Sequence, residues 1–157
     1  MIRVGYGMDV HRLVAGRDLW IGGVKIPYEY GLDGHSDADV LIHAICDALL
    51  GAANLRDIGF QFPDNSDEFL NIDSKILLHR TNELLKSKGY AISNIDATIA
   101  AQAPKLNPYI PSMQQTMAGV LGIDADALSI KATTTEKLGF EGRKEGITAY
   151  AVVLIEK

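Results

Sequence analysis

The longest apolar stretch of the chain, Val40 to Ala53, places the strongest constraint on its fold. It holds only 14 residues and includes His43 and Asp47, so it is too short and too polar to cross a bilayer. Its apolar residues recur at helical spacing, and the preceding Ser36 to Asp39 has the spacing of a capping box. The sequence therefore predicts a helix from about Asp37 to about Leu50, buried in a core, and no membrane partner.

Strand and helix patterns alternate along the rest of the chain. The predicted strands are Ile2–Val10, the hairpin pair Leu19–Ile21 and Val24–Ile26, Tyr90–Ala103, Leu128–Thr133 and Ile147–Ile155. The further predicted helices begin near Asp73 and Pro111 and end before Gly89 and at Gly122, whereas Asp57 to Asp67 is predicted to be a loop. This order predicts one α+β domain over residues 1–157, a mixed β-sheet covered by helices on one face.

Charge and cysteine content narrow the class of protein. The chain carries 15 Lys and Arg against 20 Asp and Glu, a net charge of −5, which argues against nucleic acid as a partner. Its single cysteine, Cys46, has no partner for an intrachain disulfide, and the first residues MIRVGYGMDVHR do not form a signal peptide. We therefore expect a cytoplasmic protein.

Three residues form a candidate metal site. Asp9 and His11 lie two apart on a predicted strand, so both side chains project from one face. His43 lies on the predicted helix one turn from Asp39 and one turn from Asp47, and either carboxylate could hold its second ring nitrogen. One Asp and two His suit Zn²⁺ and leave a position for water or substrate. The alternative is a chance Asp-x-His pair with a satisfied core histidine.

The segment Gly34-His35-Ser36-Asp37 stands where the buried helix is predicted to begin. Free backbone N–H groups and the positive end of the helix dipole favour an anion there, so a phosphate could bind. The alternative is an ordinary N-cap by Ser36, and the two interpretations are compatible.

A third polar cluster follows the strand that ends at Thr133. Thr133, Thr134 and Thr135 supply hydroxyls, and Glu136 and Lys137 supply charges, before a glycine-bearing segment that includes Arg143. Hydroxyls can bind phosphate oxygens, and a carboxylate beside phosphates indicates an intervening hard cation such as Mg²⁺. The alternative is a strand end that leads into a solvated turn.

Several blocks of sequence, taken in order, resemble the cyclodiphosphate synthase family of the non-mevalonate isoprenoid pathway. They are GYGMDVHR, IGGVKIPYEYGLDGHSDADVLIHAICDALLGAANLRDIGFQFPD, AQAPKLNPYIP and KATTTEKLGFEGRKEGI. The resemblance implies a ferredoxin-like or chorismate-mutase-like subunit of a homotrimer, with active sites at the subunit interfaces. It also implies a lyase that cyclises a cytidine diphosphate ester bearing a second phosphate and expels CMP.

The resemblance assigns a role to each matching residue. Asp9, His11 and His43 are implied Zn²⁺ ligands, Asp9 and His11 also contact substrate, and Glu136 binds a second ion, Mg²⁺ or Mn²⁺. His35 and Thr134 are implied catalytic residues: His35 with Ser36 holds the nucleophilic 2-phosphate, and Thr134 steadies the diphosphate. Asp57 and Gly59 are implied to contact the erythritol hydroxyls. A mobile loop is implied to close over them, and it consists of Phe62, Pro63, Asp64, Asn65 and Ser66. The segment implied to recognise cytosine is Ala101, Gln102, Ala103, Pro104, Lys105 and Leu106. Thr133 and Thr135, on either side of Thr134, are also implied to bind substrate.

Some positions depart from the family pattern. Met8 stands where a bulky aromatic residue is common, and Lys144 replaces a common glycine. The family resemblance implies a central trimer cavity for isoprenoid diphosphates, bordered by Phe140, Arg143 and Glu145. Because Lys144 departs from the family pattern beside this cavity, the sequence does not determine which ligand the cavity binds. Two other classes stay open as well. One is a zinc phosphodiesterase or phosphatase that activates water, and the other is a trimeric binding protein without turnover.

Overall fold

A five-stranded sheet forms the frame of the computed structural model, which describes residues 1–157. The strands are β1 (Ile2–Ala15), β2 (Leu19–Ile21), β3 (Val24–Ile26), β4 (Tyr30–Leu32), β5 (Ala91–Ala100), β6 (Leu128–Thr133) and β7 (Gly146–Glu156). The sheet has the order β4-β1-β7-β5-β6, and β2 and β3 form a separate hairpin. Only β5 and β6 pair in parallel, so the sheet is mixed as predicted.

The helices are α1 (Val40–Ala52), α2 (Ile58–Gln61), α3 (Ser74–Ser87), α4 (Ile110–Leu121) and α5 (Gly139–Gly142). The three long helices, α1, α3 and α4, lie on one face of this sheet, whereas α5 is a single turn whose Glu141 contacts Thr148 on the other face. Helix α1 packs on β1 and β7, α3 packs on α1, and α4 contacts α3 and β6. None of these helices has both the length and the apolar character that a membrane span requires. The predicted α+β class, with helices on one face, is confirmed.

The start of α1 corrects the predicted capping box. The helix begins at Val40, and its N-cap is Asp39, whose carboxylate accepts a hydrogen bond from the backbone N–H of Ile42. Ser36 instead accepts from the backbone N–H of Ala38, which closes a tight turn before the helix. The predicted loop from Asp57 to Asp67 also contains α2, which was not predicted.

The two faces of the sheet differ in what covers them. The face toward α1 contributes to one hydrophobic core of 33 buried residues. The opposite face is apolar and exposed, and side chains along β1 and β7 have 36–66% of their surface open to solvent. These exposed residues, which we call the open sheet face, are Ile2, Val4, Tyr6, Met8, Val10, Tyr150 and Val152.

Helix α1 approaches β1 so closely that Gly7 has no room for a side chain. A Cβ atom there would lie 2.0 Å from the carbonyl oxygen of Ala44 and 2.6 Å from the backbone nitrogen of Ala48. We expect Gly7→Ala to lower the free energy of unfolding by about 3 kcal/mol, because the helix would have to move outward. Urea denaturation measures the effect.

Gly119 in α4 provides the matched control, because nothing lies within 4 Å of a Cβ placed there. Gly119→Ala should raise stability by up to about 1 kcal/mol, since alanine is the better helix former. Equal unfolding midpoints for the two variants would contradict the close packing of α1 on β1.

Candidate metal centre and substrate cavity

Strand β1 and helix α1 bring three predicted ligands together. Asp9 and His11 project from the face of β1 that α1 covers, and His43 projects toward them from the first turns of α1. Asp9 Oδ2 lies 2.9 Å from His11 Nδ1 and 3.2 Å from His43 Nδ1. One ligand atom from each residue lies within 4.8 Å of the other two. These residues form a candidate site for a divalent metal.

The electrostatics of this cluster fit a cation. Burial acts to raise the pKa of Asp9, but the imidazoles of His11 and His43 outweigh it and lower that pKa. Burial acts to lower the pKa of His43, but the hydrogen bond to Asp9 outweighs it and raises that pKa. The buried Nδ1 of His11 has no well-aligned hydrogen-bond partner. A ring nitrogen that lacks a well-aligned hydrogen bond and lies beside an ionised carboxylate is a ligand set that a divalent ion satisfies.

The other ring nitrogen of His43 meets serines rather than the predicted carboxylates. His43 Nε2 lies 3.2 Å from Ser36 Oγ and 3.0 Å from Ser74 Oγ. Asp39 is turned away to bind two backbone N–H groups of the β2–β3 turn, and Asp47 binds the first N–H of α2. Burial raises the pKa of Asp39 to about 6 and also raises the pKa of Asp47. The prediction that Asp39 or Asp47 orients His43 is wrong.

A cavity of about 240 Å³ opens over the metal cluster. His35 on one rim approaches the opposite rim, where its Nε2 lies 3.2 Å from the carbonyl oxygen of Ser66. Asp57, Pro63 and Asn65 belong to the same rim segment but do not line the cavity. Its lining includes the predicted residues Asp9, His11, His35, Ser36, His43, Gly59, Phe62 and Asp64, with Ile58, Phe69, Ile72 and Leu77 as apolar walls that were not predicted.

The predicted cytosine segment lines a different cavity, of about 360 Å³. The side chain of Gln102 accepts a hydrogen bond of 3.1 Å from the backbone of Lys137, which ties the segment to the turn after β6. Glu136 is exposed in this turn and has a left-handed backbone, with φ of 54°. Three predicted residues, Ala103, Thr135 and Glu136, are neighbours of the lining residues in sequence but do not line this cavity. The lining consists of Ala101, Gln102, Pro104, Lys105, Leu106, Asn107, Pro108, Ala132, Thr133 and Thr134.

The two cavities share no lining residue, and they lie at different strands of the sheet, because β7 and β5 separate β1, which carries Asp9, from β6, which carries Ala132 and Thr133. Asp9 is in register with Ala149 of β7, then Ile99 of β5, then Ala132 of β6. These four residues therefore project from one face of the sheet, and Thr133, next along β6, projects from the other. The metal cluster and Thr133 of one chain thus lie on opposite faces of the sheet.

A third cavity, of about 620 Å³, lies near α5. Phe140 lines it together with Lys144 and Glu145, whereas Arg143 does not line it and is paired with Glu145 at 2.9 Å. Lys144 has φ of 61°, in the left-handed region that favours glycine, and it places a charged side chain in the lining of this cavity.

Sequence comparison identifies the family. A family model described as the YgbB family matches residues 2–156, nearly the whole chain. The chain belongs to the YgbB family. A YgbB relative from Bacteroides fragilis, named 2-C-methyl-D-erythritol 2,4-cyclodiphosphate synthase, is 69% identical over 156 residues, covering 99% of this chain and 98% of the relative. The family resemblance drawn from the sequence blocks is therefore confirmed.

Two solved structures share the YgbB fold. The Plasmodium falciparum protein, described as a CDP complex, is 36% identical with a TM-score of 0.86, covering 98% of this chain and 95% of that one. A 2C-methyl-D-erythritol-2,4-cyclodiphosphate synthase in a CDP-bound form is 32% identical with a TM-score of 0.90, covering 98% and 100%. The predicted fold is thus that of solved cyclodiphosphate synthases.

Proposed function

We propose that this chain converts 4-diphosphocytidyl-2-C-methyl-D-erythritol 2-phosphate into 2-C-methyl-D-erythritol 2,4-cyclodiphosphate and CMP. The reaction belongs to the non-mevalonate isoprenoid pathway and makes the chain a phosphorus–oxygen lyase, with residues 1–157 as one catalytic domain. The observation that carries the proposal is the cluster of Asp9, His11 and His43 at a cavity whose rim holds His35 and Ser36. This arrangement supports the proposal, because phosphoryl transfer requires a cation site beside an anion site.

The chemistry needs no activated side-chain nucleophile. An oxygen of the substrate's 2-phosphate forms a bond to the β-phosphorus, and the bond from that phosphorus to the bridging oxygen breaks, so CMP leaves with the oxygen. A phosphate monoester already carries the negative charge that this attack needs. The protein therefore has to position the two phosphates and neutralise their charge.

One group of residues binds the metal ions that neutralise charge, and another group binds and positions the phosphates. Asp9, His11 and His43 would hold Zn²⁺, and Glu136 would hold a second ion, Mg²⁺ or Mn²⁺. When bound, these cations polarise the attacked phosphorus and neutralise charge on the diphosphate. His35 and Ser36 hold the 2-phosphate at the rim of the cavity, and Thr134 steadies the diphosphate. Ser36 is suited to this role because its buried side chain lies against His43.

The remaining predicted residues bind the rest of the substrate. Asp57 and Gly59 meet the erythritol hydroxyls, and the loop from Phe62 to Ser66 closes over them. The contact from His35 to the carbonyl oxygen of Ser66 supports this closure, since it already joins the phosphate segment to the loop. The segment Ala101 to Leu106, with Thr133 and Thr135 beside it, holds the cytidine.

The working unit in this proposal is a homotrimer whose sites lie between subunits. A cavity of about 240 Å³ is small for a cytidyl diphosphate ester, and the cytidine cavity of the same chain lies at the β6 edge of the sheet, with β7 and β5 between it and β1. The open sheet face supports assembly, because an exposed apolar patch of this kind marks a protein contact. Three such faces packed around a threefold axis would bring one chain's cytidine segment to its neighbour's metal cluster. Phe140 and Arg143 would then border a central cavity suited to isoprenoid diphosphates.

Turnover by the purified protein tests this function. The protein, supplied with Zn²⁺, Mg²⁺ and the cytidyl substrate, should release CMP and the cyclic diphosphate in equal amounts. The same protein treated with EDTA should release neither. Stable binding of the substrate with no CMP released would instead favour a binding protein without turnover.

Glu136→Gln should slow turnover by about 100-fold while the protein keeps its zinc, because the amide lacks the charge that anchors the second cation. Steady-state CMP release and metal content measure the two effects. Glu156→Gln is the matched control, since Glu156 is an exposed glutamate at the end of β7, and it should leave both unchanged. Unaltered turnover in Glu136→Gln would rule out this role for Glu136.

A further inference from the structure

The hydroxyl of Ser74 lies between the imidazole of His43 and the carboxylate of Asp37. Ser74 is the first residue of α3 and is fully buried, and its Oγ lies 3.0 Å from His43 Nε2. The same hydroxyl hydrogen-bonds to Asp37 Oδ1, and the backbone N–H of Ser74 donates to Asp37 Oδ2 at 2.9 Å. No step of the proposed reaction uses Ser74 or Asp37.

Donor and acceptor capacity fixes the direction of these hydrogen bonds. An ionised carboxylate only accepts, so the O–H of Ser74 must donate to Asp37. Ser74 has a single proton, so its oxygen can only accept from His43, which must therefore carry its proton on Nε2. Asp37 is itself held in place, because Oδ1 also accepts from the backbone N–H of Asp39 at 3.0 Å.

The protonation of Nε2 decides which nitrogen of His43 faces the metal cluster as a ligand. With the proton on Nε2, the lone pair of neutral His43 is on Nδ1, and Nδ1 is the atom that lies 3.2 Å from Asp9 Oδ2. Metal-binding histidines generally gain this orientation from a hydrogen bond at the second ring nitrogen. The sequence offered Asp39 and Asp47 for that bond, whereas the structure supplies Ser74 from a different helix.

We infer that Ser74 is a positioning residue of the metal centre. Ser74 donates its hydroxyl proton to Asp37 and accepts from His43, and it thereby holds His43 in the tautomer whose Nδ1 can bind a divalent ion. The same arrangement affects Ser36, whose Oγ accepts from the backbone N–H of Ala38 at 3.1 Å and lies 3.2 Å from His43 Nε2. Because Nε2 is a donor, Ser36 keeps its own hydroxyl proton free to donate to the substrate phosphate.

A purely structural role for Ser74 makes a different prediction. Its backbone N–H bond to Asp37 joins the start of α3 to the segment before α1, and this bond does not depend on the side chain. Ser74→Ala keeps that link and removes only the hydroxyl between Asp37 and His43. Metal affinity therefore separates the positioning role from the structural one. This inference rests on the proposed function, in which His43 is a metal ligand.

The test is the zinc dissociation constant of the intact protein, measured by competition with a chromophoric chelator. Ser74→Ala should bind Zn²⁺ at least about 10-fold more weakly than the unchanged chain. Thr81→Val is the control, because Thr81 is a fully buried hydroxyl residue about two turns further along the same helix, and its zinc affinity should be unchanged. Nitrogen NMR of the zinc-loaded imidazoles should show the Nε2 proton of His43 in the unchanged chain and its faster exchange with water in Ser74→Ala.

The zinc affinities of these proteins distinguish an error in the role of Ser74 from an error in the metal site. Equal zinc affinity in Ser74→Ala and the unchanged chain overturns the positioning role while the metal site stands. If the unchanged chain binds no zinc, the metal site itself is wrong, and so is this inference. If Ser74→Ala does not fold, Asp37→Asn decides, since it keeps the shape of the side chain but weakens the bond that orients the Ser74 hydroxyl. Undiminished zinc affinity in Asp37→Asn would then overturn the inference.

Discussion

Replacing His43 with Ala is expected to remove the bound zinc and to lower turnover by at least about 1,000-fold, because a metal ion contributes several kcal/mol to the stabilisation of transferring phosphoryl charge. His43 supplies the only ligand that comes from α1, so Asp9 and His11 would be left as two ligands on one strand. Two ligands are too few for a catalytic zinc site, which normally has three. Metal content after dialysis and CMP release measure the two effects.

The fold of this variant should survive, which circular dichroism can verify. His43 is buried, but its ring sits beside an open cavity that water can enter once the imidazole is gone. His79→Ala is the matched control, because His79 is an exposed histidine on α3, and both zinc and turnover should be unaltered. Full zinc content in His43→Ala would show that the ligand assignment is wrong.

Two inactive variants are expected to restore activity to each other when they assemble into one trimer. One chain carries His43→Ala and keeps an intact cytidine segment, and the other carries Glu136→Lys and keeps an intact metal cluster. The physical reason is the sheet, because β7 and β5 separate Asp9 on β1 from Thr133 on β6 of the same chain and the two side chains project from opposite faces. A site that joins both halves must then use two neighbouring chains.

The expected size of the recovery follows from random assembly. After the two proteins are unfolded and refolded together in equal amounts, about three quarters of the trimers are mixed, and each mixed trimer has one intact junction among its three. About a quarter of the activity of the unchanged protein should therefore return. The control is each variant refolded alone, which should stay inactive. If mixed trimers form and no activity returns, each chain must contain a complete site.

Local patterns predicted the elements that form through neighbouring residues. Strand β6 and the β2–β3 hairpin have the predicted bounds, because alternation and turn residues act over a few positions. The Asp-x-His pair in β1 and His43 in α1 did converge, since a strand and a buried helix each fix the direction of their side chains. The roles of the substrate-binding residues stay predictions.

Other features depend on contacts between distant segments, which periodicity does not encode. Asp39 replaces Ser36 as the N-cap because its carboxylate also binds the β2–β3 turn, a contact across 16 residues or more. Ser74 reaches His43 across 31 residues, and a serine after Asp73 indicates only the start of a helix. Strand β4 has three residues like β2 and β3, but it lacks an adjacent partner across a tight turn, and it pairs instead with Leu13 to Ala15 at the end of β1.

The oxygen content of the phosphate products tests the central claim, internal phosphoryl transfer, most directly. The purified protein, Zn²⁺, Mg²⁺ and the cytidyl substrate are incubated in water enriched in ¹⁸O, and the products are identified by mass spectrometry. Attack by the substrate's own 2-phosphate predicts a cyclic diphosphate and CMP that both lack ¹⁸O, because every phosphate oxygen comes from the substrate. A linear product or CMP that carries ¹⁸O would show that water is the nucleophile, and the protein would be a hydrolase instead.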